Sequence, residues 1–361
     1  MSEFDDSPVQ VDHPLVHAPG VFFELEESEY HRALALSATG VKWVRVSALD
    51  WWARSPLNPD PDDEEDSEAM IVGSAYHKRI LEGREAFYAR YAPSLDPRDF
   101  PDALKTNEEI AEAIKRAGGP IKGIKGLRKA ELTALLAEYD PQAQVWEALT
   151  RDHATEHTGK EFLSAKLIRK IETSAKMIEA HPELGKAFRG GAPEVSCFWA
   201  DPATGVPCKC RWDYLKQHVI VDLKTAQNVY GTPIDRAVAR AIANGRLHIQ
   251  AGFYLEGARR ARQMIRNGQI FGKHDPDFVK AFAAEKSDPV WMWLFQMKGP
   301  APVARGYVLP PGMTMDLARY EIEEAKITWA RSWKTFRELP WIDQSDIHTI
   351  DSTELPSYIA E

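Results

Sequence analysis

Residues 194–228 read EVSCFWADPATGVPCKCRWDYLKQHVIVDLKTAQN, and the rest of the chain is organised around them. Asp201-Pro-Ala-Thr-Gly205 has the composition of a tight turn, and the runs on either side are rich in β-branched and aromatic residues. The pattern predicts a meander of strands over about 194–200, 206–216 and 218–224. Residues 219–223 are apolar except for Asp222, and Lys224 follows it by two positions. Side chains alternate along a strand, so Asp222 and Lys224 share a face. Asp213 lies on the preceding strand, nine residues before Asp222. A lone buried carboxylate costs several kcal/mol unless paired or bound to metal. Carboxylates from neighbouring strands suit a hard cation, and an ammonium beside them suits phosphodiester hydrolysis.

The chain has 361 residues, 44% of them hydrophobic, with 11 tryptophans, enough for a large core. No run of eighteen apolar residues occurs, so no membrane span is expected, and the acidic start MSEFDDSPVQ does not read as a signal peptide. A cytoplasmic location is expected. The net charge of −9 argues against a non-specific DNA coat, but not against an enzyme with one basic channel. Part of the excess sits in the run DPDDEED at 60–66, which reads as a solvated loop. Cys197, Cys208 and Cys210 read as reduced, partly buried strand thiols. A zinc or iron–sulfur centre is not expected, because a fourth cysteine is lacking.

Residues 1–25 are expected to be an extended N-terminal segment, and 26–361 one domain. Helical periodicity covers 26–37, and Ser47 reads as the N-cap of a short helix ending near Pro56. MIVGSAYHKRILEG, carrying His77, reads as an amphipathic helix. TNEEIAEAIKRAG and LRKAELTALLAEYD read as helices on either side of a glycine–lysine loop, forming an insertion at about 104–140. That hairpin resembles SAP-type and HeH-type nucleic-acid-binding motifs, in which Lys122, Lys125, Arg128 and Lys129 would face DNA. A plain helical elaboration explains it as well. Residues 160–189 read as one long helix, 233–244 and 246–268 as two more, 290–297 and 303–309 as strands, and 313–339 as a closing helix. The fold class expected is α/β (α+β), a central mixed sheet flanked by helices.

Four blocks in order, VSALDWWARSP, GSAYHKRILEG, the meander with VIVDLKT, and HIQAGFYLEGA, resemble the PD-(D/E)xK nuclease superfamily, and within it the RecE-like phage exonucleases. The resemblance spans about residues 43–260 and implies a restriction-endonuclease-like sheet. It implies Mg²⁺, with Mn²⁺ able to substitute, held by His77, Asp213, Asp222 and, through water, Glu194. Lys224 would act on the transition state, with Gln250 and Tyr254 lining the site, and Ser47, Arg45 and Arg54 would meet the DNA end. The third position is Asp222 where the motif more often has Glu, and a shorter carboxylate still ligates Mg²⁺. The family also implies linear double-stranded DNA as substrate, 5′→3′ polarity, 3′ overhangs for a RecT-like annealing partner, a ring-shaped homo-oligomer and a phage or prophage origin. A structure-specific or single-strand nuclease of the Cas4-like kind, and a silent DNA-binding module on the same fold, are the alternatives. The absence of a four-cysteine cluster disfavours the Cas4-like branch.

Overall fold

The computed structural model describes residues 7–61, 67–343, 347, 349–351 and 354. The first six residues and most of the acidic run, 62–66, therefore lie outside the described residues. Residues 1–69 with 181–361 form one compact unit, and residues 70–180 form another.

The first unit opens with strand β1 (Gly20–Phe22) and helices α1 (Glu27–Arg32), α2 (Ala38–Val46) and α3 (Ala48–Ala53). Helix α4 (Glu68–Leu81) leads into the second unit, which continues with α5 (Gly83–Arg90), β2 (Tyr91–Ser94), α6 (Asn107–Arg116), α7 (Lys129–Tyr139), α8 (Trp146–Glu156), β3 (Glu161–Ser164) and α9 (Ala165–Ala180). The chain then returns to the first unit through β4 (Gly191–Ala200), β5 (Pro207–Lys216), β6 (Val219–Ala226), α10 (Ile234–Asn244) and α11 (Leu247–Arg266). It finishes with β7 (Ile270–Phe271), α12 (Pro276–Ala284), β8 (Val290–Met297), β9 (Ala304–Leu309) and α13 (Met313–Phe336).

Seven strands of the first unit make a mostly antiparallel sheet in the order β7-β1-β4-β5-β6-β8-β9. The expected meander is its centre. Its turn closes at Gly205, with φ of +75°, where a Cβ would lie 2.0 Å from the Val9 carbonyl oxygen. Strand β6 pairs with β5 on one side and runs parallel to β8 on the other, so Asp222 lies mid-sheet. One face of β4 and β5 offers Val195, Cys197, Trp199, Cys208, Cys210 and Trp212 to the main core, where α11 packs. Gly257 of α11 sits so close that a Cβ there would meet Cys210 Sγ at 2.6 Å. Helix α13 packs on α11 and α2, and its Trp329 and Trp333 are buried. All three cysteines are free and buried, as expected of reduced strand thiols.

Several expectations change. Residues 20–22, assigned to an extended leader, form a sheet strand between β4 and β7. The helical stretch at 26–37 is shorter, and Ser37 instead caps α2, its Oγ accepting the Gly40 amide at 3.1 Å. Residues 160–189 are not one helix: 161–164 pair in parallel with β2, and α9 ends before His181-Pro182. Proline cannot continue the hydrogen-bond ladder. In the second unit α6 begins with a capping box. Thr106 Oγ1 accepts the Glu109 amide at 3.2 Å and the Glu109 carboxylate accepts the Thr106 amide at 3.0 Å.

Candidate active site

Three carboxylates lie side by side across β4, β5 and β6. The register pairs Pro193 with Tyr214 and Val195 with Trp212, which sets Glu194 opposite Asp213. It pairs Tyr214 with Val221, so one step further Asp213 faces Asp222. The β5–β6 ladder stops at that step. In its place Asp213 Oδ2 accepts the Leu223 amide at 2.7 Å, so a side chain takes over from a backbone carbonyl as the strands part. The strands are irregular here. Trp212 and Leu215, an odd number apart, both pack in the main core, so face alternation breaks between them. Glu194 has φ of +50°, a region costly for a residue with a Cβ. Carboxylate oxygens of Glu194 and Asp213 come within 4.8 Å of each other.

Asp222 is 1% exposed, and its partners explain how a charge survives there. Lys224 Nζ lies 2.8 Å from Oδ1 and 2.7 Å from Oδ2, and Gln250 Nε2 donates to Oδ1 at 2.8 Å. Burial opposes the charge on Lys224, but Asp222 and Asp213 outweigh it and hold the ammonium above its ordinary pKa. Burial pushes the Asp213 carboxyl up, against the pull of Lys224 and the Leu223 amide. Tyr254 stands one turn after Gln250 on α11, its ring edge-on to Trp291 at 5.7 Å. Burial first, then neighbouring acidic groups that include Asp213 and Asp222, raise its hydroxyl well above the usual tyrosine pKa.

The other expected residues have the following surroundings. Ser47 Oγ accepts the Asp50 amide at 2.9 Å, so the hydroxyl is engaged as the cap of a six-residue helix. Arg45 pairs with Glu321 at 3.4 Å. Arg54 lies 3.4 Å from Asp50 and 5.5 Å over the Trp43 ring. His77 is partly buried on α4, in the second unit. In the α6–α7 loop Lys122, Lys125 and Arg128 are exposed, and Lys129 pairs with Glu147 at 3.3 Å.

The sequence reading passed over Lys42 and a buried hub around Glu321. Lys42 donates to the Gly245 carbonyl at 2.6 Å. Burial, and then the nearby Lys224 ammonium, lower its pKa. Glu321, 4% exposed on α13, takes Arg45, Arg246 and His248, the last at 3.0 Å. Only the unexpected helix α2 brings Lys42 and Arg45 here, and no local pattern marks Glu321 among the other acids of α13.

Glu194, Asp213 and Asp222 offer only oxygen donors, the set that a hard divalent cation such as Mg²⁺ or Mn²⁺ takes. Each carboxylate has two oxygens and about four lone-pair positions, so one that accepts an amide or ammonium proton can still ligate. The residues fit such an ion. Among the described residues no helix is long and apolar enough to cross a membrane.

Residues 55–289 match a family model described as "PDDEXK-like domain of unknown function (DUF3799)". Among solved structures, a "Putative exonuclease" from Eubacterium rectale is similar at 13% identity and a TM-score of 0.45, over 86% of this chain and 87% of that one. No curated protein matches the chain.

Proposed function

The chain belongs to the PDDEXK-like family DUF3799, and on that footing we propose that it is a Mg²⁺-dependent deoxyribonuclease acting on linear double-stranded DNA. The observation that carries this reading is the Asp222–Lys224–Gln250 set beside the facing Glu194–Asp213 pair on adjacent strands. Glu194, Asp213 and Asp222 would hold the ion, with His77 as a further ligand carried over from the family resemblance. The bound ion would lower the pKa of a water and neutralise charge on the phosphate. Lys224 keeps its proton at neutral pH and can orient the attacking water or meet charge that develops on a phosphate oxygen. Gln250 spends one amide proton on Asp222 Oδ1, which fixes the carboxylate plane. Asp213, held by the Leu223 amide, cannot swing away from the row. These contacts hold the site in place before substrate arrives, which reduces reorganisation during reaction.

The finer reading is a 5′→3′ exonuclease that leaves 3′ overhangs for a RecT-like annealing partner and encircles DNA as a homo-oligomeric ring. The test uses end-labelled linear, nicked and closed circular duplexes with Mg²⁺, with Asp222→Asn as the control. Linear DNA should be shortened from its 5′ ends while closed circles survive. Cleavage of closed circles would move the protein to a structure-specific endonuclease. No cleavage of any form, with DNA binding retained, would leave a silent binding module.

A further inference from the structure

We propose that His153, Glu156 and His157 of the second unit form a binding site for a zinc-class divalent cation, separate from the carboxylate row. The last turn of α8 and its C-cap read His153-Ala-Thr-Glu156-His157. Positions i, i+3 and i+4 share one helix face. The same H-x-x-E-H order occurs on helices of some zinc peptidases, so the spacing is compatible with metal binding. Here one donor atom from each of the three side chains lies within 4.8 Å of the other two.

The surroundings favour a ligand role over a surface coincidence. The two imidazole centroids are 4.5 Å apart, at 78° to each other. His153 Nε2 lies 2.7 Å from the Pro93 carbonyl oxygen of β2. A carbonyl can only accept, so Nε2 carries the proton, and in the neutral ring Nδ1 keeps its lone pair. Metal-bound histidines are commonly oriented by such a second hydrogen bond. Phe162 of β3 lies 5.3 Å and 6.3 Å from the two rings and gives the cluster an apolar wall. The Glu156 and His157 side chains make no hydrogen bond or ion pair among the described residues. Two imidazoles and one carboxylate suit Zn²⁺ rather than Mg²⁺. No further His, Cys, Asp or Glu among the described residues joins the group, so water would complete a tetrahedral site.

The test is equilibrium dialysis of Zn²⁺ against the full-length, metal-stripped chain in an Asp222→Asn background, which weakens the carboxylate row as a competitor. One Zn²⁺ per chain should bind, and His157→Ala or Glu156→Gln should weaken it more than about tenfold. His153 is left in place because it also anchors β2. Circular dichroism should show both variants folded, and Co²⁺ should give the visible absorption of a tetrahedral site that His157→Ala removes. Failure of the chain to retain Zn²⁺, or binding unchanged in both variants, would overturn the assignment. The outcome does not depend on nuclease activity.

Discussion

At the scale of the residue, Asp222 gathers the contacts of the candidate site, since one oxygen accepts from both Lys224 and Gln250. Asp222→Asn keeps the shape but removes the charge that a hard cation needs. It should lower the cleavage rate of end-labelled duplex by more than about 10²-fold with the melting curve nearly unchanged. Wild-type degradation by this variant would refute the assignment. Lys224→Ala should cost about 10²–10³ in single-turnover rate while DNA affinity changes little, because the ammonium acts on the transition state. A large loss of affinity at constant rate would make Lys224 a binding residue instead. His77→Ala should raise the Mg²⁺ concentration needed for activity, and Mn²⁺ should restore part of it, because Mn²⁺ favours mixed nitrogen–oxygen sites. An unaltered Mg²⁺ titration would remove His77 from the ligand set.

At the scale of the element, the meander was legible because each signal is local: a turn sequence, period-two alternation, and one carboxylate in an apolar run. The carboxylate row was only half legible. Asp213 and Asp222 follow from strand positions, but the positive φ of Glu194 and the early end of the β5–β6 ladder depend on how three strands meet. Strand β1 is three residues long and exists through pairing with β4 and β7, far away in sequence. Helix α2 is not expected from the sequence, because Ser37, its N-cap, falls at the end of the stretch 26–37 whose own periodicity reads as helix. Helix α3 needs that cap. Ser47→Ala should lower the unfolding free energy by about 1 kcal/mol, measured by urea denaturation. If it also changes the ratio of rates on 5′-phosphate and 5′-hydroxyl ends, the cap has an end-binding role as well; a constant ratio confines it to scaffold.

At the scale of the molecule, the first unit is tied together by a buried charge cluster drawn from the β4–β5 turn, α11 and α13. Lys326 of α13 donates to Asp201 in the β4–β5 turn at 2.8 Å and to Glu256 of α11 at 2.7 Å. Lys326 and Asp201 are nearly fully buried, so removing the shared cation strands two carboxylates. Lys326→Met should therefore destabilise the protein by about 3–5 kcal/mol, read from chemical denaturation. A loss below about 1 kcal/mol would show that solvent already screens the cluster. The net charge of −9 gives no sign of this arrangement, because pairing and burial rather than totals decide what a charge does. Durability and chemistry compete at Glu194. A glycine there would relax the backbone at φ of +50°, yet it would delete a carboxylate from the row. Under the proposed ligand role of Glu194, breeding this protein for heat resistance alone would therefore favour sturdier descendants that hold their ion less well.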